Sequence, residues 1–249
     1  MSGGSPSATA PLDQVIWHDL ECGAYREDLA LWRGLASRHG SPVLEIGAGT
    51  GRVALDLARR GYDVTALDRD PALLAALERR AGGLAIRTVA ADARTFELGG
   101  RFALCLVPMQ TVQLLGGPGG RRAMLERVVA HLLPGALFAA ALTPDLPPYD
   151  FREGAAAPTP DVCERDGYLY FSQPTAIYAQ PEGYVLERRR ERVTALGERT
   201  VEHDRILLDR LDPLTLEREA AAVGLLPAGR TTIPATPDYA PSEVVMLGA

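Results

Sequence analysis

The sequence predicts an α/β fold in which an antiparallel β meander interrupts a doubly wound parallel sheet. Three observations support this prediction. Short apolar strands alternate with helices between residues 43 and 142, which is the pattern of successive βα units. A glycine-rich turn joins the first of these strands to its helix. After residue 144 prolines become frequent and three segments alternate in polarity, which favours an antiparallel arrangement.

Composition narrows the class of protein. The 249 residues are 47% hydrophobic and 23% charged, as in an ordinary globular protein of one large or two small domains. The net charge of -6 argues against a nucleic-acid partner, because phosphate binding favours a basic surface. Cys22, Cys105 and Cys163 form neither a metal motif nor a disulfide framework, so we expect a reducing, cytoplasmic location. We expect no membrane association, because no apolar stretch approaches eighteen residues.

The elements are predicted in chain order from their periodicity. Residues 1–11 are almost entirely small residues and proline, which predicts a frayed tail. Apolar residues then recur every three or four positions, so residues 12–42 are predicted to form a helical cover. Residues 43–143 form the predicted core. Its strands are expected at 43–46, 62–68, 84–91, 102–107 and 136–142, and its helices at 53–58, 71–80 and 121–133.

The meander is predicted at residues 144–211, as an insertion that covers the substrate site. Its strands are expected at 168–173, 184–193 and 200–211. Residues 212–249 return to the core with a helix at 213–223 and strands at 225–231 and 243–247. The run R-R-R-E-R at 188–192 is interpreted as a solvated face, because acids lie close to it in the sequence.

The glycine turn reads E-I-G-A-G-T-G-R at residues 45–52, a place where a backbone can approach a nucleotide closely. The dinucleotide pattern requires a small residue where this chain has Arg52, so that pattern is broken. Asp68 ends the second strand, where a carboxylate can accept hydrogen bonds from both hydroxyls of a ribose.

Four motifs resemble those of the class I S-adenosylmethionine-dependent methyltransferases. They are V-L-E-I-G-A-G-T-G-R, V-T-A-L-D-R-D-P-A-L-L, A-A-D-A-R and H-L-L-P-G-A-L, and they cover roughly residues 43–142 in the expected order. The resemblance implies a Rossmann-like methyltransferase fold with a seven-stranded sheet whose last strand is antiparallel. It also implies S-adenosyl-L-methionine as the cofactor.

The same resemblance assigns roles to single residues. It places the glycine turn along the cofactor, Asp68 on the ribose and Asp92 near the adenine amino group. The negative charge of Glu45 suits the sulfonium and ammonium groups of the cofactor. The alternatives are an exposed or capping acid for Glu45 and a turn residue for Asp92. The full set of implied cofactor-binding residues is Tyr25, Glu45, Gly47, Ala48, Gly49, Gly51, Asp68, Arg69, Asp92, Ala93 and Val107.

Two residues before the first strand are candidates for catalysis. The segment W-H-D-L-E-C-G-A-Y-R-E-D-L-A-L-W resembles the N-terminal cover of small-molecule N- and O-methyltransferases, which implies that Tyr25 faces the cofactor. His18 is the candidate general base, because an imidazole titrates near neutrality. A structural role is the alternative for both side chains.

The leading hypothesis is methyl transfer to an oxygen or nitrogen of a small metabolite by in-line displacement. The fourth strand ends V-P-M-Q and lacks the N-P-P-Y or D-P-P-Y of enzymes that methylate amino groups of nucleic acids and glutamine. A methyltransferase-like binding protein without turnover is the main alternative, and an NAD-dependent oxidoreductase is a weaker one. The exposed edges of the meander favour a homodimer.

Overall fold

The computed structural model of the protein describes residues 11–151 and 158–249. The predicted tail at residues 1–11 lies outside the described residues, except for Pro11, where the first helix begins. Two helices, α1 (Pro11–Cys22) and α2 (Leu29–His39), precede the sheet. The buried residues of α2 recur at helical spacing and pack against the sheet: Leu29, Trp32, Leu35 and Ala36.

The core alternates strands and helices, as the periodicity predicts. Its elements in chain order are β1 (Val43–Ile46), α3 (Arg52–Ala58), β2 (Val64–Asp68), α4 (Pro71–Ala81), β3 (Ile86–Ala90), β4 (Phe102–Val107), a 3₁₀ turn (Thr111–Leu114), α5 (Gly117–His131) and β5 (Leu132–Leu142). The helix predicted at 121–133 is shifted towards the N-terminus. Leu132 already has extended dihedral angles and pairs with Phe102, so the chain enters β5 before Pro134.

The inserted meander is an antiparallel sheet of its own. It contains β6 (Tyr149–Asp150), β7 (Asp161–Arg165), β8 (Tyr168–Ala179), β9 (Gly183–Thr194) and β10 (Arg199–Asp209). The strand order is β10-β9-β8-β6, and β7 pairs with another part of β8. The chain then completes the core with α6 (Pro213–Ala221), β11 (Leu226–Ile233) and β12 (Ser242–Gly248). Three of the five strands match the predicted ones, and β6 and β7 were not predicted.

The core sheet has seven strands in the order β11-β12-β5-β4-β1-β2-β3. The five neighbouring strands β3, β2, β1, β4 and β5 are parallel, and β12 runs antiparallel to β5. This confirms the predicted seven-stranded fold with an antiparallel last strand. The strand order reverses at β1, which has β2 on one side and β4 on the other, so a crevice opens at the carboxyl end of β1.

Among the helices that the structure describes, none has the length and apolar character of a membrane span.

Candidate active site

The turn after β1 lies at the mouth of this crevice. Gly47 and Gly49 have positive φ angles of 74° and 54°, which favour glycine. A Cβ atom on Gly47 would overlap the side chain of Thr111, and one on Gly49 would overlap the imidazole of His18. Ala48 is buried, and its N–H donates to the carbonyl of Leu67 over 3.0 Å. The glycines therefore make this turn a bare backbone cradle on which the side chains of Thr111 and His18 pack directly.

Asp68 joins the end of β2 to this turn. Its Oδ2 accepts a hydrogen bond of 2.8 Å from the N–H of Gly49, and its Oδ1 accepts one of 2.9 Å from the N–H of Asp70. Each carboxylate oxygen keeps a further lone pair, so the group can still accept hydrogen bonds from two hydroxyls. Arg69 follows it with an exposed side chain.

Asp92 and Ala93 follow β3 on the same edge of the sheet. Asp92 accepts hydrogen bonds from the backbone N–H of Arg94 over 2.8 Å and from its guanidinium over 2.6 and 2.9 Å. These bonds hold the pKa of Asp92 at about 2. The structure thus gives Asp92 a turn-forming role, and its contact with adenine stays a prediction. Ala93 is buried beside it, while Val107 is fully buried at the end of β4.

Glu45 is buried at the end of β1, with an exposed fraction of 2%. The alternative of an exposed acid is therefore wrong. In the described part of the chain, its Oε2 has no hydrogen-bond partner. Burial raises the pKa of Glu45 to about 8, against the opposing charge of Arg52.

Arg52 forms a buried ion pair that the sequence does not reveal. Its guanidinium makes two hydrogen bonds with the carboxylate of Asp28. This carboxylate also accepts a hydrogen bond of 2.7 Å from the indole N–H of Trp32. The same guanidinium lies over the ring of Tyr25, 5.1 Å from its centroid. The only sequence signal was the position of Arg52 in the glycine motif, where it served to exclude a dinucleotide site.

Tyr25 lies between Arg52 and a second aromatic side chain, Tyr239. The two tyrosine ring centroids are 4.8 Å apart. The hydroxyl of Tyr25 is buried, and no described residue hydrogen-bonds it. Burial raises the pKa of Tyr25 to about 12, so the phenol is neutral at physiological pH. Tyr239 lies just before β12 and was missed, because nothing in its local sequence marks it.

His18 packs its ring on the glycine turn from α1. Its Nδ1 lies 3.3 Å from the Thr50 hydroxyl, which donates to Asp19 over 2.8 Å. Since that hydroxyl proton is already used, Nδ1 carries the imidazole proton and Nε2 presents a lone pair. Burial lowers the pKa of His18, so the ring is neutral near pH 7. The geometry thus leaves His18 in its basic form beside Gly49.

The arginine run on β9 corrects the interpretation of a solvated face. Every second side chain of the run lies on the face of β9 that meets α1 and β7, and each of these arginines pairs with an acid. Arg190 makes two hydrogen bonds with Glu21, of 2.7 and 2.8 Å. The flanking pairs are Arg192 with Asp13 at 2.8 Å and Arg188 with Asp161 at 2.5 Å. Strand register brings these residues together across long sequence distances, which local charge patterning cannot show.

A buried glutamine ties the meander to the core. Gln113 donates from Nε2 to the carbonyl oxygens of Thr143 and Asp209, both over 3.0 Å, and its Oε1 accepts from the N–H of Thr143. These bonds connect the end of β5 with the end of β10. They fix the insertion against the edge of the sheet where the glycine turn lies.

Comparisons with known proteins agree with this geometry. A family described as "Methyltransferase domain" matches residues 43–135. No curated protein sequence matches the chain. An amino pentose methyltransferase of calicheamicin biosynthesis from Micromonospora echinaspora is 19% identical, with a TM-score of 0.70, and 98% of this chain aligns with 99% of that one.

Two further solved structures have the same architecture. A sugar N-methyltransferase from Streptoalloteichus is 17% identical, with a TM-score of 0.70 and 98% of each chain covered. A glycopeptide N-methyltransferase bound to S-adenosyl-L-homocysteine is 23% identical, with a TM-score of 0.61, and 98% of this chain covers 99% of that one. Residues 43–135 therefore match a methyltransferase family, and the chain has the fold of these solved methyltransferases.

Proposed function

We propose that this protein transfers a methyl group from S-adenosyl-L-methionine to a nitrogen of a small molecule, with a hydroxyl oxygen as the alternative acceptor. One observation carries the proposal. The glycine cradle after β1 is flanked by the carboxyl groups of Glu45 and Asp68. The two guanidinium groups described beside it are already paired, Arg52 with Asp28 and Arg80 with Asp19. Such a site suits a cationic nucleoside without phosphates.

The residues at the crevice fit this cofactor. The turn presents backbone without side chains at its glycines, and two buried polar atoms, Tyr25 Oη and Glu45 Oε2, have no hydrogen-bond partner among the described residues. Asp68 would hold the ribose, and Glu45 and Tyr25 the amino-acid end. The backbone of Gly47, Ala48, Gly49 and Gly51 would lie along the cofactor, with Arg69, Asp92, Ala93 and Val107 around the base.

The bound cofactor supplies a methyl group already activated by its sulfonium. The chain then has to align the acceptor atom, exclude water and take up a proton. His18 is proposed as the proton acceptor, because its neutral ring presents Nε2 above the glycine turn. Tyr25 is proposed to position the reacting groups, because its neutral hydroxyl can donate one hydrogen bond.

The acceptor class rests on the related structures. They are an amino pentose methyltransferase, a sugar N-methyltransferase and a glycopeptide N-methyltransferase, which together favour a nitrogen acceptor. We propose that the meander covers the site and forms the acceptor pocket. Net charge supports the absence of a nucleic-acid partner, and cysteine usage supports a reducing, cytoplasmic location. We also propose a homodimer, because β10 is an open edge strand.

The test is turnover with S-adenosylmethionine carrying a labelled methyl group. Amino sugars, their hydroxyl analogues and small amines serve as acceptors, and His18→Gln is compared with the wild type. The proposal expects label on the amine, with a lower kcat in the variant. Cofactor binding without transfer to any acceptor class would favour the non-catalytic binding protein.

A further inference from the structure

We propose that binding of the cofactor expels a proton from Glu45, whose carboxyl group exchanges this proton for the cofactor's ammonium group. The inference rests on the proposed function and adds a proton to the binding equilibrium. It depends on where Glu45 lies and on which charges face it.

Glu45 occupies an apolar position in the central strand of the sheet. Its neighbours in register are Ala66 on β2 and Leu106 on β4, neither of which can hydrogen-bond a carboxylate through its side chain. Both are fully buried, and Glu45 itself is almost as inaccessible. Its Oε2 lacks a partner among the residues that the structure describes. A charged carboxylate is disfavoured in such surroundings unless a cation reaches it.

The charged groups that face Glu45 do not meet this need. Arg52 from α3 is engaged by Asp28, which is itself fully buried. Asp28 before α2 and Asp68 at the end of β2 both add negative charge near Glu45. The N–H of Ala54 in α3 favours the ionised form but carries no full charge. The pair of Arg52 and Asp28 is close to neutral, so without a ligand the carboxyl group keeps its proton at neutral pH.

An ammonium group beside Oε2 changes this balance. It donates the missing hydrogen bond and stabilises the carboxylate, so the carboxyl proton leaves to solvent. Burial raises the pKa of Glu45 to about 8, and an α-amino group also titrates at about 8. Well below pH 8, binding therefore releases close to one proton. Above pH 8 the carboxylate is already ionised and the amine is neutral, so binding takes up a proton instead.

Calorimetry in buffers of different ionisation enthalpy measures this proton count. We would titrate the wild type at pH 7.0 and 9.0 with S-adenosylmethionine and with 5′-methylthioadenosine, which keeps the adenosine and sulfur but lacks the amino-acid end. Glu45→Gln removes the titrating group at similar volume. Glu126→Gln is the matched control, because Glu126 is an exposed acid on α5.

The inference expects release of about one proton with S-adenosylmethionine at pH 7.0, none with methylthioadenosine, and uptake at pH 9.0. Glu45→Gln should lose the release, and Glu126→Gln should keep it. Binding without proton exchange, or equal exchange with both ligands, would overturn this inference alone. The ligand comparison decides even if Glu45→Gln does not fold. Absence of S-adenosylmethionine binding by the folded wild type would overturn the proposed function as well.

Discussion

Arg121 holds two acids at the junction of α5, α6 and the meander. Its side chain is 2% exposed and contacts Asp209 at 3.0 Å and Glu219 at 2.7 Å. Asp209 also accepts a hydrogen bond from the N–H of Gly117 over 2.7 Å. One guanidinium thus bridges carboxylates from β10 and α6, and it fastens the meander to the core.

Arg121→Met should lower the free energy of unfolding by about 3–5 kcal/mol, because it leaves buried carboxylates without their cation. The neighbouring Arg122 is the control. Its side chain is 71% exposed and pairs with Glu126 one turn away, so Arg122→Met should change stability by less than about 1 kcal/mol. Denaturant unfolding of both variants measures the difference. Equal effects would show that the Arg121 cluster does not stabilise the fold.

Substitutions at Gly51 and Gly61 distinguish the stability cost of backbone strain from the cost of steric overlap. Their φ angles, 92° and 87°, are nearly equal. A Cβ atom on Gly51 would overlap the buried side chain of Leu77, whereas one on Gly61 meets nothing within 4 Å. Gly61→Ala should therefore cost about 1 kcal/mol from strain alone, and Gly51→Ala about 1–3 kcal/mol more from overpacking. Thermal unfolding compares the two, and equal losses would contradict the overpacking argument.

Residues in the glycine motif and at the strand ends could be found from sequence, because their function depends on local backbone geometry. Gly47, Gly49 and Asp68 are examples, and the structure places all three at one turn. The partners of Arg52 could not be found. Asp28 and Tyr25 approach it from the segment before α2, and only the folded chain brings them together.

At the scale of elements, α1 is held from two sides. Asp19 pairs with Arg80 of α4 and accepts a hydrogen bond from Thr50 in the glycine turn. Glu21 faces the meander and binds Arg190. The helix therefore covers the glycine turn because ion pairs at both of its flanks fix it there.

Acidification should break the ion pair between Glu21 on α1 and Arg190 on the meander. Burial alone would raise the pKa of Glu21, but the hydrogen bonds and charge of Arg190 outweigh it and hold the pKa below its usual value. A lowered pKa contributes stability that is present above the unfolded value of about 4.3 and is lost as pH falls through the folded value.

Tryptophan fluorescence between pH 7 and pH 2 can follow this release, because Trp17 on α1 lies 5.0 Å from the ring of Tyr170 and 5.8 Å from the guanidinium of Arg190. We expect a change below about pH 4.3 in the wild type. Glu21→Gln should have a weaker contact at pH 7 and a smaller acid transition. Identical titrations of the two proteins would show that Glu21 does not hold the helix.

The core elements could be predicted because apolar residues recur within each strand and helix at the spacing typical of that element. The meander could be predicted only in part. β6 is two residues long and β7 alternates weakly, so both depend on pairing with β8. The arginine run was misinterpreted for the same reason, since its partners lie on α1 and β7.

At the scale of the whole molecule, a cover is attached to the core near the carboxyl ends of the parallel strands. The core supplies the glycine turn and Asp68 from the carboxyl ends of neighbouring parallel strands. The cover consists of α1 and the meander, joined to each other by ion pairs and to the core by Gln113 and Arg121. In the proposed function the core binds the cofactor and the cover recognises the acceptor, so each role can be tested by itself.

In the proposed function, the glycine turn and Asp68 bind an adenosyl cofactor. Calorimetric titration of the wild type and Asp68→Ala with S-adenosylmethionine, S-adenosylhomocysteine and NAD tests it most directly. We expect micromolar binding of both adenosyl compounds to the wild type, no binding of NAD, and at least a tenfold loss of affinity in the variant, or about 1.4 kcal/mol. Folded wild-type protein that binds neither adenosyl compound would contradict the account.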